Sequence, residues 1–183
     1  MLKQRPIKPD FASLNASEPQ KRTGALLALS TLQFTTRLRP MTDRKVTKAF
    51  INAISKDSSL PVRVSAMYAL AMNNCGGREG LEVLFSAIKK DGAQMSIDQL
   101  SRIIGCVCEC NCGMEMVGRM LSDKKYPQEA RSVAAMQLGN AKKNAGAARA
   151  CLEQLVDDPE TSVSVFSRMS LSDLNKSEKT IRA

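Results

Sequence analysis

The chain has 183 residues, of which 43% are hydrophobic and only 4% aromatic, and it carries a formal net charge of +9. That length suits one domain with a sizeable core, and a core of small and flexible side chains favours packed helices over a β-sandwich. Histidine is absent, which removes the commonest general base and the commonest transition-metal ligand.

The sequence predicts no membrane segment. Every apolar run is shorter than the ~18 residues that a spanning helix needs. The basic residues Lys3 and Arg5 are not followed by the apolar stretch of a secretory signal. We therefore expect a cytoplasmic protein without a membrane span, and we expect its six cysteines to be free thiols.

Three parts of the chain differ in pattern. Residues 1–17 contain two prolines, three basic residues and few apolar ones, which predicts a flexible basic N-terminal arm. Residues 18–172 have the apolar periodicity of a helical repeat domain, and this periodicity is lost in residues 173–183, the predicted C-terminal tail. The charge is also uneven, because residues 1–45 hold nine basic and only three acidic residues.

Apolar residues at helical spacing, interrupted by turn-forming residues, predict nine helices, while the partner that would make a tenth is missing or lies in the tail. The loop from Asn73 to Gly77 ends one helix, and Asp91-Gly92 ends the next. The predicted spans are 19–36, 43–56, 60–73, 78–90, 96–110, 113–122, 127–142, 145–157 and 160–171.

The predicted helices repeat along the chain. A shift of 68 residues, which is twice 34, aligns residues of the same type in two successive helices, and a single shift of 34 places Ile97, Leu100 and Ile104 in the unit between them. Such a period is typical of helix–turn–helix units that bury their apolar faces only by stacking. The aligned pairs are Arg63 with Arg131, Ala66 with Ala134, Leu70 with Leu138, and Leu84 with Leu152.

The stretches 57–70 and 123–139 resemble HEAT-like repeats, in which an acidic turn precedes a helix with an arginine, a small residue and a leucine. The unit at 91–122 keeps Asp91 but has Ile97 where the arginine is expected. The resemblance covers roughly residues 18–172. It implies a right-handed α-solenoid of about four to five HEAT-like helix pairs, curved so that the second helices line a concave face. It implies no single function.

Four cysteines lie within seven residues, at positions 106, 108, 110 and 112. Thiolates are good zinc ligands, but on a helix Cys106 and Cys110 share one face while Cys108 and Cys112 share another, about 200° away. We therefore predict no metal site. We expect the helix to bury Ile97, Leu100, Ile104 and Cys108, with Cys106 or Cys110 on the opposite face.

Catalytic groups are scarce in this sequence. Serines are plentiful but lack a histidine to activate them, and no glycine-rich phosphate loop follows a predicted strand. Some HEAT-like proteins are DNA glycosylases that use tryptophans and an aspartate, and this chain departs from them because it contains no tryptophan. We therefore expect no enzyme activity and no cofactor.

The predicted function is that of a protein-binding adaptor or scaffold subunit within a larger assembly. Charges of both signs on the predicted second helices form the candidate protein-binding set, which is Arg44, Lys48, Glu82, Arg119 and Glu153. The alternative is a basic helical-repeat protein that binds nucleic acid. The residues of that alternative are Arg37, Arg39, Arg44 and Lys45. Arg131 is expected to serve the hydrogen bonding between repeats instead.

Overall fold

The computed structural model describes residues 10–36, 40–110, 113–141 and 144–182, with side chains described outside residues 33–43 and 177–182. Throughout these residues the protein is all-helical and contains no β-strand, which confirms the predicted fold class. The handedness of the superhelix stays a prediction. The helices are α1 Pro19–Thr36, α2 Pro40–Lys56, α3 Leu60–Met72, α4 Gly77–Asp91, α5 Ile97–Cys108, α6 Gly113–Ser122, α7 Gln128–Leu138, α8 Ala145–Glu153 and α9 Thr161–Arg182.

The helices form two layers that alternate along the chain. The odd-numbered helices α1, α3, α5, α7 and α9 pack side by side in chain order, and we call them the first helices. The even-numbered helices α2, α4, α6 and α8 pack in the same order in the other layer, and we call them the second helices. The hydrophobic core runs between the layers, where Phe50, Leu70, Leu84 and Leu100 are fully buried.

In three of the helix pairs, an arginine of the first helix binds an aspartate at or shortly after the end of the second helix, and we call these ion pairs the ladder. Arg22 binds Asp57 at 2.7 Å, Arg63 binds Asp91 at 2.8 Å, and Arg131 binds Asp158 at 2.5 Å. Arg22 and Arg63 also donate to backbone carbonyls of the turn before their helix, and Arg131 donates to the carbonyl of Leu121 near the end of α6. The hydrogen bond from Arg22 lowers the pKa of the Asp57 carboxyl. These contacts confirm the structural role expected for Arg131.

The third helix pair, α5 and α6, has no ladder arginine. The ladder arginines are the fourth residues of α1, α3 and α7, and the fourth residue of α5 is the fully buried Leu100. A short 3-10 turn at Gly92–Gln94 delays the start of α5. A fixed shift of 34 residues from Arg63 therefore leads to Ile97, although the equivalent position in α5 is Leu100. The carboxylate of Asp123 is bound by Lys89 at 2.7 Å, and this contact lowers the pKa of Asp123.

The prediction that Ile97 is buried is wrong, because its side chain is 64% exposed. Ser96 caps α5 by accepting a hydrogen bond from the backbone N–H of Gln99, whose side chain accepts from Ser96 in return. This capping box makes Ile97 the first residue of the helix, and its side chain lies at the edge of the first-helix layer, whereas Leu100 and Ile104 are buried as predicted.

Both predicted end segments contain ordered helical structure. Residues 1–9 of the predicted arm lie outside the described residues, but Ala12–Asn15 form a 3-10 turn, and the neighbouring Phe11 packs against the core. At the other end, α9 continues to Arg182 instead of fraying from 173. Leu174 is 2% exposed, so burial of its side chain extends the helix beyond the point where the periodicity in the sequence weakens.

The cysteine faces are partly as predicted. Cys108 is buried, which confirms its predicted position, and Cys106 is half-buried. The expectation that Cys110 lies on the open face is wrong, because α5 ends at Cys108 and the following turn directs Cys110 into the core, where it is 8% exposed. Cys112 lies outside the described residues.

We expect Cys108→Ser to lower the free energy of unfolding by about 1–3 kcal/mol, because it places a hydroxyl group at a buried position in the hydrophobic core. Cys106→Ser, on the half-buried side of the same helix, should change the stability much less. Thermal melts of the two variants measure the difference. Equal losses would mean that the two thiols do not occupy different environments.

Candidate protein-binding surfaces

The five residues predicted to bind protein all lie exposed on second helices. Arg44 and Lys48 lie on α2, Glu82 on α4, Arg119 on α6 and Glu153 on α8. The structure therefore brings them to one layer, each helix contributing its own charges. Two of them make exposed ion pairs within their helix, at 3.2 Å from Arg78 to Glu82 and 2.6 Å from Arg119 to Glu115. Such surface pairs are weak enough to exchange for contacts with a partner.

Open grooves separate two pairs of neighbouring second helices. The groove between α2 and α4 has a volume of ≈ 400 Å³ and the groove between α6 and α8 one of ≈ 420 Å³. Glu79, Glu82 and Lys90 place charges of both signs in the α2–α4 groove, beside the apolar side chains of Ile54 and Val83. Side chains of this kind suit a protein segment that also carries both charges and a few apolar residues.

The residues of the nucleic-acid alternative are described only in part. Arg44 and Lys45 are exposed at the start of α2, whereas Arg37 and Arg39 lie outside the described residues. Carboxylates of the neighbouring α4, Glu79 and Glu82, line the groove beside α2. Along this layer, the basic residues of α2 are therefore followed by a groove that holds both carboxylates and Lys90.

The first-helix layer carries an apolar groove that the sequence did not predict. It has a volume of ≈ 230 Å³, and Ile97, Val133, Met136 and Phe166 form its apolar lining. All four strongly exposed large hydrophobic side chains of the described chain also lie on first helices. They are Leu27, Ile97, Val165 and Met169. Ile97 is the one sequence signal for this groove, because it interrupts the arginine pattern, but the repeat alignment predicts that it is buried in the core.

Two kinds of site receive no support from the described residues. No group of three or more cysteine, aspartate or glutamate side chains within them has an arrangement that could hold a metal ion. None of the helices in the same part of the chain is long and apolar enough to cross a membrane.

Comparison with known proteins adds a weak structural likeness. No protein-family model matches the sequence, and no curated protein matches it. A crystal structure of an engineered protein is 13% identical, with a TM-score of 0.45 over 89% of this chain and 76% of that one. A structure of human deoxyhypusine hydroxylase in complex with glycerol is 10% identical, with a TM-score of 0.38 over 89% of this chain and 82% of that one. Neither likeness assigns a function to this chain.

The prediction that the chain is not an enzyme is corrected by this comparison. Human deoxyhypusine hydroxylase, one of the similar structures, is an enzyme. The prediction depends on the scarcity of catalytic residue types. A helical architecture does not strengthen it, because enzymes occur among such folds. At 10% identity the likeness transfers no catalytic residue to this sequence.

Proposed function

We propose that this protein binds a segment of a partner protein along the exposed face of its second helices, as an adaptor or scaffold subunit of a larger assembly. The observation that carries the proposal is the mixture of exposed positive and negative side chains on α2, α4, α6 and α8, with open grooves between these helices. The proposal takes this layer as the concave side of a right-handed solenoid.

Charge favours a protein segment over a nucleic acid. A phosphate backbone that followed the layer from α2 would pass from Arg44 and Lys48 to α4, where Glu79 and Glu82 interrupt the run of basic residues. A protein segment can place opposite charges against both helices. The ladder arginines are not available for phosphates either, since their guanidinium groups are bound to aspartates.

A cytoplasmic location belongs to the same proposal. Each of the five cysteines within the described residues is a free thiol. Free thiols in this number suit a reducing compartment.

A charge swap that leaves the net charge unchanged tests the surface. The tagged protein is used as bait in a lysate of its native source treated with nuclease, and the bound proteins are compared between wild type and the double variant Glu82→Lys/Arg119→Glu. We expect the specific partner to be lost in the double variant, because the charge complementarity of α4 and α6 is reversed.

The matched control is Asp98→Lys/Arg102→Glu, which swaps an equally exposed ion pair on the first helix α5. This control should retain the partner, and far-UV circular dichroism should show that both double variants remain folded. Equal loss of the partner in both double variants would contradict the assignment to the second helices. The nucleic-acid alternative predicts a different result. Nuclease should then remove the bound material, and affinity for duplex DNA should fall steeply with salt and be lost in Arg44→Ala/Lys45→Ala.

A further inference from the structure

Two cysteines that are far apart in sequence meet in the core. Cys75 lies in the turn between α3 and α4, and Cys110 lies just beyond the end of α5. Their sulfur atoms are 2.9 Å apart, although the two cysteines are 35 positions apart in the chain. Cys75 is fully buried and Cys110 is 8% exposed. The contact joins the second helix pair to the first helix of the third.

The turn holds Cys75 in an unusual backbone conformation. Asn74 and Cys75 both have φ = 58°, and Gly76 and Gly77 follow with φ of 62° and 74°. Non-glycine residues rarely adopt positive φ, and such conformations persist only where the surrounding structure enforces them. The backbone of the turn therefore fixes the position of the Cys75 side chain, and no rearrangement is needed to bring it against Cys110.

The two thiols differ in reactivity. The hydrogen bond from Cys75 stabilises a thiolate at Cys110 and lowers the pKa of Cys110, while the same contact and burial raise the pKa of Cys75. Burial raises the pKa of Cys108 to about 12 and also raises the pKa of Cys106. The thiolate is the nucleophile. Among these four cysteines, Cys110 is therefore the one poised to react first, and Cys75 is the neighbour that can resolve the product.

We propose that Cys75 and Cys110 are a redox modification site, at which a peroxide forms a reversible disulfide between the α3–α4 turn and the end of α5. The Cys110 thiolate attacks one oxygen of hydrogen peroxide, the O–O bond breaks, and the leaving hydroxide takes up a proton to form water. The sulfenic acid of Cys110 is then attacked by the sulfur of Cys75, which loses its proton as a second water leaves. Two thiols are oxidised and one peroxide is reduced to two waters.

The proposal is independent of the proposed function, because it rests on the core contact and not on either outer surface. The disulfide would close a loop between positions 75 and 110 and so restrict the unfolded chain. It would also tie two neighbouring helix pairs together. A thiol reductant reverses the step by thiol–disulfide exchange.

The test uses the whole reduced protein, freed of reductant and treated with a small excess of hydrogen peroxide. Intact mass spectrometry without reduction should show the loss of two hydrogen atoms, and peptide mapping should find the peptide of Cys75 joined to that of Cys110. The oxidised protein should melt roughly 5–10 °C higher than the reduced protein, as expected for a loop of this size in a domain of this length. Reductant should reverse both changes.

Two variants sharpen the result. Cys75→Ala removes both the resolving thiol and the hydrogen bond that lowers the pKa of Cys110. Cys110 should therefore react more slowly with peroxide than in the wild type, and the product should be sulfenic or sulfinic acid without a crosslink. Cys151→Ala, which changes a half-buried cysteine on α8, should leave the crosslink intact. A wild-type crosslink through another cysteine, a crosslink between chains, or overoxidation of wild-type Cys110 without any crosslink would overturn the proposal. The wild-type peptide map decides the matter even if Cys75→Ala does not fold.

Discussion

Replacing Arg131 by methionine is expected to lower the free energy of unfolding by about 3–5 kcal/mol, the usual cost of leaving a buried charge without its partner. The side chains of Arg131 and Asp158 are only 3% and 7% exposed, and they meet at 2.5 Å. Methionine keeps much of the volume but removes the donors that bind Asp158 and the carbonyl oxygen of Leu121. Urea unfolding followed by circular dichroism measures the loss.

Two companion variants separate the buried charge from general effects of the substitution. Arg119→Met removes an exposed arginine that binds Glu115 within α6, and it should change stability by no more than about 0.5 kcal/mol. Adding Asp158→Asn to Arg131→Met removes the orphaned charge and should recover part of the loss. If Arg131→Met lies within about 1 kcal/mol of the wild type, the buried pair is not the stabilising contact that its burial indicates.

The sequence predicted the fold well because the helices depend on local signals. Apolar spacing and turn-forming residues placed α1, α6 and the start of α8 at the residues where the structure has them. The internal repeat also predicted that the helix pairs stack in chain order and that Arg131 has a structural role. The prediction failed in the central unit, where a fixed shift of 34 residues does not account for the added 3-10 turn at Gly92–Gln94. Leu100 therefore takes the place assigned to Ile97.

The surface could be predicted only in part. Periodicity shows which helix carries a residue and whether its side chain is exposed, but it does not show which residues of other helices lie beside it. Arg44, Glu82 and Glu153 are exposed on second helices as expected. The contact between Cys75 and Cys110 depends on a left-handed turn and on a helix that ends two residues earlier than the sequence suggested. Neither feature has a periodic signal.

The left-handed turn at Cys75 makes Gly80 of α4 sensitive to substitution by alanine. A Cβ atom on Gly80 would lie 2.0 Å from the carbonyl oxygen of Cys75 and 3.0 Å from its carbon, closer than real Cβ atoms approach backbone. The turn would have to open to admit the methyl group. We expect Gly80→Ala to lower the free energy of unfolding by about 3 kcal/mol, at the upper end of the usual cost of overpacking.

Gly24→Ala is the matched control, because an added Cβ on this exposed residue of α1 meets nothing within 4 Å. Without a clash, alanine should raise the stability by about 0.5–1 kcal/mol, since glycine is the poorer helix former. Urea unfolding of both variants should therefore give changes of opposite sign. Because an opened turn separates Cys75 from Cys110, Gly80→Ala should also make Cys75 react faster with a maleimide than it does in the wild type or in Gly24→Ala. A stabilising Gly80→Ala with unchanged labelling would show that the turn does not hold Cys75 against the helix as described.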